Sequence, residues 1–335
     1  DDLSSLGHDV TSFDSFARKF LTGGKRFRAL CAIHGFSIHG ATLSDQIIDV
    51  AAALEVFHAA ALVHDDIMDS SDTRRGSPSA HRAFENLHTQ SGWAGDGASF
   101  GVNSALLFGD LLLAYCDELI AHALNNLDAV TRERTRAEFD RMRREVTLGQ
   151  YLDVVEERAW PKVSVSEALD RAGRVVVYKS AKYSIEAPLV IGAALAGASN
   201  DDLDSLRSFG LPVGFAFQLR DDMLGVFGDP EVTGKPAGDD IREGKRTVLI
   251  ALAMERLDDR SAMNLNTLLG DRTLSPEQIA QVRSTLVECG AHDEVEKLIA
   301  DYVSQGLQAL DESGFADTTL SSLRELALGV TNRVS

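Results

Sequence analysis

"SDQIIDVAAALEVFHAAALVHDDIMD", residues 44–69, is the stretch from which the fold can be read. Ile47, Ala51, Leu54, His58, Ala61, Asp65 and Met68 recur at alternating spacings of three and four, which is one stripe of an α-helix. The other faces are also largely apolar, so this helix is expected at the centre of a bundle. His58 and Asp65 interrupt the apolar stripe, and a buried polar group needs a partner. Asp65 and Asp69 are four apart and share a face, while Asp66 lies about 100° round the helix. Carboxylates are costly to bury unpaired. Arg74 and Arg75 follow closely, so a multiply charged ligand is expected between the two sets.

The same device recurs in "FQLRDDMLGVFGD", residues 217–229, where Gln218, Asp221, Asp222 and Gly225 follow one helical face. Spacings of three and four run through nearly the whole chain. They predict an all-α, single-domain helical bundle over 1–335, its helices surrounding a deep central cavity. The expected helices are 11–21, 25–38, 44–69, 79–88, 99–126, 131–157, 165–182, 184–197, 201–227, 239–258, 276–289, 292–312 and 317–332. "RVVVYKS" at 174–180 is strand-like in pattern but sits among helical neighbours and is read as helix. Pro212 is expected to kink the 201–227 helix or to mark its true start.

Hydrophobic residues make up 44% of the 335 and charged residues 25%, enough for a core without disulfides. Cys31, Cys116 and Cys289 form no CxxC pair, which predicts a reducing, cytoplasmic setting and no structural zinc. A net charge of −18 argues against a nucleic-acid partner, and it makes any local cluster of cations stand out. The longest apolar run, "APLVIGAALAGA" at 187–198, is too short for a bilayer, so no transmembrane segment is expected. No signal peptide is read at the start. The chain opens at Asp1 rather than Met, so further native residues are expected before it.

All-oxygen carboxylate sites suit Mg²⁺, which takes one or two carboxylates and completes its shell with water and phosphate oxygens. Two aspartate clusters therefore suggest magnesium around a diphosphate. An EF-hand reading of 65–76 fails, because its sixth position is Ser70 and its twelfth Gly76. A His-Asp phosphohydrolase using His58, His64 and Asp65 is an alternative, although the histidines are six apart and do not align. For the anion, "GGKRFR" (23–28) places Lys25 and Arg28 at a helix start. Lys179, Lys235 and Lys245 stand in "YKS" and "GKPAGDDIREGKRT" further along.

"GGKRFR", "HDDIMDSSDTRRG", "YKS", "FQLRDD" and "GKPAGDDIREGKRT", in this order and spacing, resemble the trans-isoprenyl diphosphate synthase (polyprenyl synthetase) family. In style they are most similar to actinobacterial geranylgeranyl diphosphate synthases. The resemblance covers about residues 20 to 250. It implies the isoprenoid synthase bundle, usually as a homodimer, and a head-to-tail condensation of isopentenyl diphosphate with a dimethylallyl, geranyl or farnesyl diphosphate. It also implies magnesium, as three ions, held with the allylic diphosphate by Asp65, Asp69 and Asp221, with Asp66 and Asp222 completing the clusters. Arg74, Lys179, Lys235 and Lys245 would neutralise that diphosphate. Lys25, Arg28, His58 and Arg75 would take isopentenyl diphosphate, and Ser180 and Gln218 would turn oxygen dipoles toward the cation.

The family usually carries Asp where Gly225 stands. Asp229 is one candidate replacement, and a metal-bound water in the space above Gly225 is the other. The Gly225–Asp229 spacing also resembles class I terpene cyclases, which would leave the second basic set unexplained. A catalytically silent partner subunit would be expected to lose motif residues that this chain keeps. For chain length, Ala60 and Ala61 before the first motif would leave the product tunnel open. Phe57, two turns or about 12 Å before Asp65, would floor it for a C20 product, a farnesyl (C15) or longer (C25 and above) product being the alternative.

Overall fold

A computed structural model describes residues 6–7, 9–229 and 238–331. The fold is all-α, as the periodicity predicts. The chain gathers into two compact units, Asp1–Ala29 with Ser44–Asn126, and Leu30–Leu43 with Leu127–Ser335. The sequence alone reads as one domain.

In the first unit, α1 (Asp9–Phe20), α3 (Asp45–Met68), α4 (Ala80–Ser91) and α5 (Gly97–Leu124) pack together. Asp96 caps α5 by accepting the Ser99 N–H at 3.0 Å, which satisfies an orphan donor of the first turn. α1 sets Phe13, Phe16 and Phe20 against Phe108, with ring centroids 5.1–5.7 Å apart. By length and composition α3 is long and apolar enough to cross a bilayer, which corrects the expectation from 187–198. More than half of its most apolar window is buried, and it packs on α5 and α4, so its apolar character is that of a core helix. Between α3 and α4 a two-residue hairpin pairs Thr73–Arg74 with Ser77–Pro78. Its turn residues, Arg75 and Gly76, both have positive φ, at 52° and 70°, as a type I′ turn requires.

The second unit holds the continuation of α2 (Phe27–Phe36) from Leu30 on, then α6 (Ala129–Ala159), α7 (Val165–Val175), α8 (Ala187–Leu195) and α9 (Asn200–Phe227). α10 (Asp239–Glu243), α11 (Val248–Arg256), α12 (Asp259–Leu268), α13 (Pro276–Glu288), α14 (Ala291–Asp311) and α15 (Asp317–Thr331) follow. Capping boxes start α7 at Ser164 and α9 at Ser199. Pro212 lies inside α9 and does not end it.

Two expected helices differ. Residues 239–258 break at Gly244, whose φ of 77° leaves the helical region and separates α10 from α11. Between α7 and α8, residues Val176–Glu186 form a continuous π-helix where a break at 183 was expected. α12 has no counterpart among the expected helices.

Candidate diphosphate and metal site

In the first unit the site starts from the C-terminal end of α3. Asp66 is fully buried and Asp69 nearly so, while Asp65 is partly exposed. Arg74 comes from the hairpin strand and donates from Nε to Asp66 Oδ1 at 3.0 Å, with a second, shorter bond from Nη2 to the same oxygen. Its Nη2 also lies 3.8 Å from Asp65. Asp66 is therefore the anchor of Arg74, while Asp65 and Asp69 share the other face. The Asp69 N–H closes the helix on the Asp65 carbonyl at 2.8 Å.

The hairpin turn sends Arg75 the other way, toward the Thr22 carbonyl at 3.3 Å. Arg26, also at positive φ (54°), donates to Glu55 on α3 at 3.1 Å. The other oxygen of Glu55 accepts the Ala29 N–H at 3.2 Å in the first turn of α2. His58 is one turn on from Glu55. Burial, then Arg28, Arg75, Arg74 and Arg26, hold its imidazole well below the usual range, so it is neutral. Burial and the neighbouring Arg26 and Arg74 likewise lower Arg75, with Glu55 acting in the opposite sense. In a chain of net charge −18, four arginines around one neutral histidine form a concentrated anion site. A cation would be repelled there, so His58 is no metal ligand. His64 turns to α5 instead, with Nε2 3.5 Å from the Leu106 carbonyl and 3.7 Å from Asp110. The His-Asp phosphohydrolase reading lapses with these placements.

In the second unit Asp153 on α6 is the centre. It accepts Lys179 Nζ at 2.5 Å and Lys245 Nζ at 3.4 Å, and Lys245 also reaches Glu157 at 3.1 Å. Lys179 and Ser180 ride on the π-helix. A Cβ on Gly149 of α6 would overlap the backbone there, with the Lys179 Cα at 2.7 Å and the Lys179 N nearer still. Only glycine lets the wider helix lie this close. Gln218 donates to Asp222 Oδ1 at 2.7 Å. Burial first, then Asp240, Asp221 and Asp153, push the Asp222 carboxyl well up, against the lowering effect of the Gln218 bond.

Sequence reading found the aspartates, lysines and arginines but missed Glu55, Arg26, Asp153, Glu157 and Asp240. Asp153 and Glu157 carry charges on an ordinary helical pattern with no motif of their own, while Arg26 and Asp240 stand inside quoted motifs but were given no role. Lys235 lies outside the described residues. Lys25 and Arg28 stand at the entry to α2 as expected. The space above Gly225 is filled by the Asp240 carboxylate, so the expected water has no room there. Asp229 lies beyond the end of α9 at Phe227 and is exposed. Phe57 and Ala60 are buried and Ala61 is half-buried. Ala60 belongs to the packed cluster that contains Phe84 and Phe108.

Among the described residues no three His, Cys, Asp or Glu side chains form a ready metal cage. The donor chemistry nonetheless fits magnesium, which needs few carboxylates and completes its shell with water and phosphate. Asp65 and Asp69 offer oxygens one turn apart, and the mutual repulsion around Asp222 is of the kind a divalent cation relieves.

A model of the polyprenyl synthetase family matches residues 11–286. The crystal structure of a geranylgeranyl pyrophosphate synthase from Corynebacterium glutamicum, complexed with isoprenyl diphosphate and magnesium, is similar over 99% of this chain and 93% of that one. It has a TM-score of 0.92 and 41% identity. A geranylgeranyl diphosphate synthase of Sulfolobus acidocaldarius is 31% identical over 97% of this chain and 92% of its own length. A (2E,6E)-farnesyl diphosphate synthase of Mycobacterium bovis is also 31% identical, over 84% of this chain and 72% of its own.

Proposed function

The chain belongs to the polyprenyl synthetase family and is a trans-isoprenyl diphosphate synthase, a prenyltransferase; from that premise we propose that its product is the C20 geranylgeranyl diphosphate. The observation that carries the two-substrate reading is the arginine cluster around neutral His58, on the same helix as Asp65 and Asp69. A cyclase acting on one diphosphate has no use for a second anion site.

Isopentenyl diphosphate is assigned to Lys25, Arg28, Arg75 and His58, whose neutral imidazole donates a hydrogen bond without adding charge. The allylic diphosphate is assigned to Arg74, Lys179, Lys235 and Lys245, and Asp65, Asp69 and Asp221 would hold magnesium, proposed as three ions. Magnesium, when bound, neutralises the leaving diphosphate. Lys179 and Lys245, which both donate to Asp153, would stabilise the charge that develops on the diphosphate, which is stabilisation directed at the transition state. Ionisation of the allylic C–O bond releases diphosphate and leaves a carbocation. The isopentenyl double bond then forms the new C–C bond, and the proton lost from the adjacent carbon passes to the released diphosphate. Ser180 and Gln218 turn oxygens toward the cation. Dry apolar walls keep water from quenching it.

Phe57 is the proposed floor of the product tunnel. The working form is taken as a cytoplasmic homodimer. Incubation with Mg²⁺, isopentenyl diphosphate and each of three allylic primers, followed by mass analysis of the dephosphorylated products, tests the proposal. A C20 alcohol supports it, and a C15 stop or a longer chain overturns the product length alone. A cyclic hydrocarbon from one diphosphate overturns the two-substrate reading.

A further inference from the structure

A small cavity lies in the second unit among α6, the single 3₁₀ turn Trp160–Lys162, α7, α11 and α12, and the functional reading makes no use of it. Its volume is about 140 Å³, comparable to that of a dry engineered cavity that takes up benzene. Trp160, Ile250 and Met254 supply apolar walls, while Glu156, Arg246 and Asn266 supply polar groups. Arg246 is the feature that needs a reason. Its guanidinium lies 4.0 Å over the Trp160 ring, and Nη1 donates to Asn266 Oδ1 at 2.6 Å. Its Nε is buried without an acceptor among the described residues. Burial pushes its pKa down to about 10, with no carboxylate acting in the opposite sense.

We propose that this cavity binds a small monocarboxylate whose apolar body is one ring or a short branched chain. A guanidinium buried without an anion is costly, and the partner it calls for is a single negative charge held against apolar walls. Glu156 does not fill that role. Arg171 takes both of its oxygens, with Nε donating to Oε2 at 2.9 Å and Nη2 lying 2.7 Å from Oε1. The same carboxylate discriminates against a diphosphate, whose several charges one arginine could not offset beside Glu156. A planar carboxylate matches the guanidinium edge. Stacking on Trp160 fixes the plane of that guanidinium, so the edge is presented in one orientation. Asn266 accepts with its oxygen, which leaves its amide N–H groups to donate to the same ligand. A neutral hydrocarbon would fill the walls and leave the arginine charge as it stands.

The test is a fluorescence titration with benzoate, which is one ring and one carboxylate. The chain has two tryptophans, and Trp93→Phe leaves Trp160 as the reporter. Benzoate should shift that emission saturably. Arg246→Gln should weaken binding by about 10–100-fold, the span of a charge-assisted hydrogen bond. Ala262→Leu keeps Arg246 but narrows the cavity that Ala262 lines, and it should weaken binding too. Circular dichroism melting checks that each variant is folded, and Ala262→Leu carries the test if Arg246→Gln is not. Toluene, which lacks the carboxylate, should bind at least about tenfold more weakly than benzoate. Inorganic pyrophosphate with Mg²⁺ should not displace benzoate. The assignment is overturned if the parent shows no saturable shift at millimolar benzoate, or if the folded variants bind it as the parent does. Toluene binding as tightly as benzoate would overturn the carboxylate class, and displacement by pyrophosphate would move benzoate to the diphosphate site and overturn the cavity.

Discussion

Replacing Gly149 with alanine adds one methyl group where α6 meets the π-helix. The new Cβ would overlap the Lys179 N and the Tyr178 carbonyl carbon and lie 2.7 Å from the Lys179 Cα. These are main-chain atoms, so no rotamer change can relieve the overlap, and either α6 or the π-helix has to move. Overpacking of this kind costs about 1–3 kcal/mol. At about 2–4 °C per kcal/mol for a sizeable domain, the melting point should fall by several degrees. The second effect is chemical. Lys179 sits 2.5 Å from Asp153, and the same shift would misplace its ammonium. A displacement near 1 Å at a positioned charge can cost about 100-fold in rate. Steady-state kinetics should show a loss in kcat/KM for the allylic substrate, with the KM for isopentenyl diphosphate little changed. A variant that melts with the parent and keeps its kcat/KM would refute the seating of the π-helix on Gly149.

Asp66 and Asp65 should separate stability from chemistry. Asp66→Asn breaks a buried ion pair with Arg74 and should cost about 3–5 kcal/mol in denaturant unfolding, whereas Asp65→Asn should leave unfolding nearly unchanged and lower turnover. His58 has a folded pKa depressed below the ordinary 6.5 by burial and by Arg28, Arg75, Arg74 and Arg26. The stability it contributes is therefore fully present above pH 6.5 and is lost as pH falls through the folded value. His58→Gln should flatten that acid limb in melting curves taken from neutral pH downward, and an unchanged limb would remove His58 as its source. Ala60→Phe should destabilise by about 1–3 kcal/mol, because Ala60 is fully buried in the cluster with Phe84 and Phe108. A parent-like melting point with a shorter product would instead place that side chain in open tunnel space.

The sequence by itself determined the all-α class and most of the helices, because a repeat of three and four is local, although α12 and the break at Gly244 escaped it. It also determined the two aspartate motifs, the basic set and their order, because side-chain chemistry at fixed helical spacing is legible without coordinates. Tertiary structure decided which charge meets which. Asp66 anchors Arg74 because a type I′ turn folds the strand back onto α3, and only the turn's positive φ values separate Arg74 from Arg75. Glu55 holds Arg26 across 29 residues, and Asp153 collects Lys179 and Lys245 across 26 and 92. Pairings at such separations leave no periodic trace. The π-helix was invisible for a related reason: its apolar pattern does not distinguish it from an ordinary helix, and the glycine it packs over belongs to another helix. Gly225 looked like a missing ligand in the sequence. In the folded chain it is the space into which Asp240 fits, and only packing from a separate turn of the chain could reveal that.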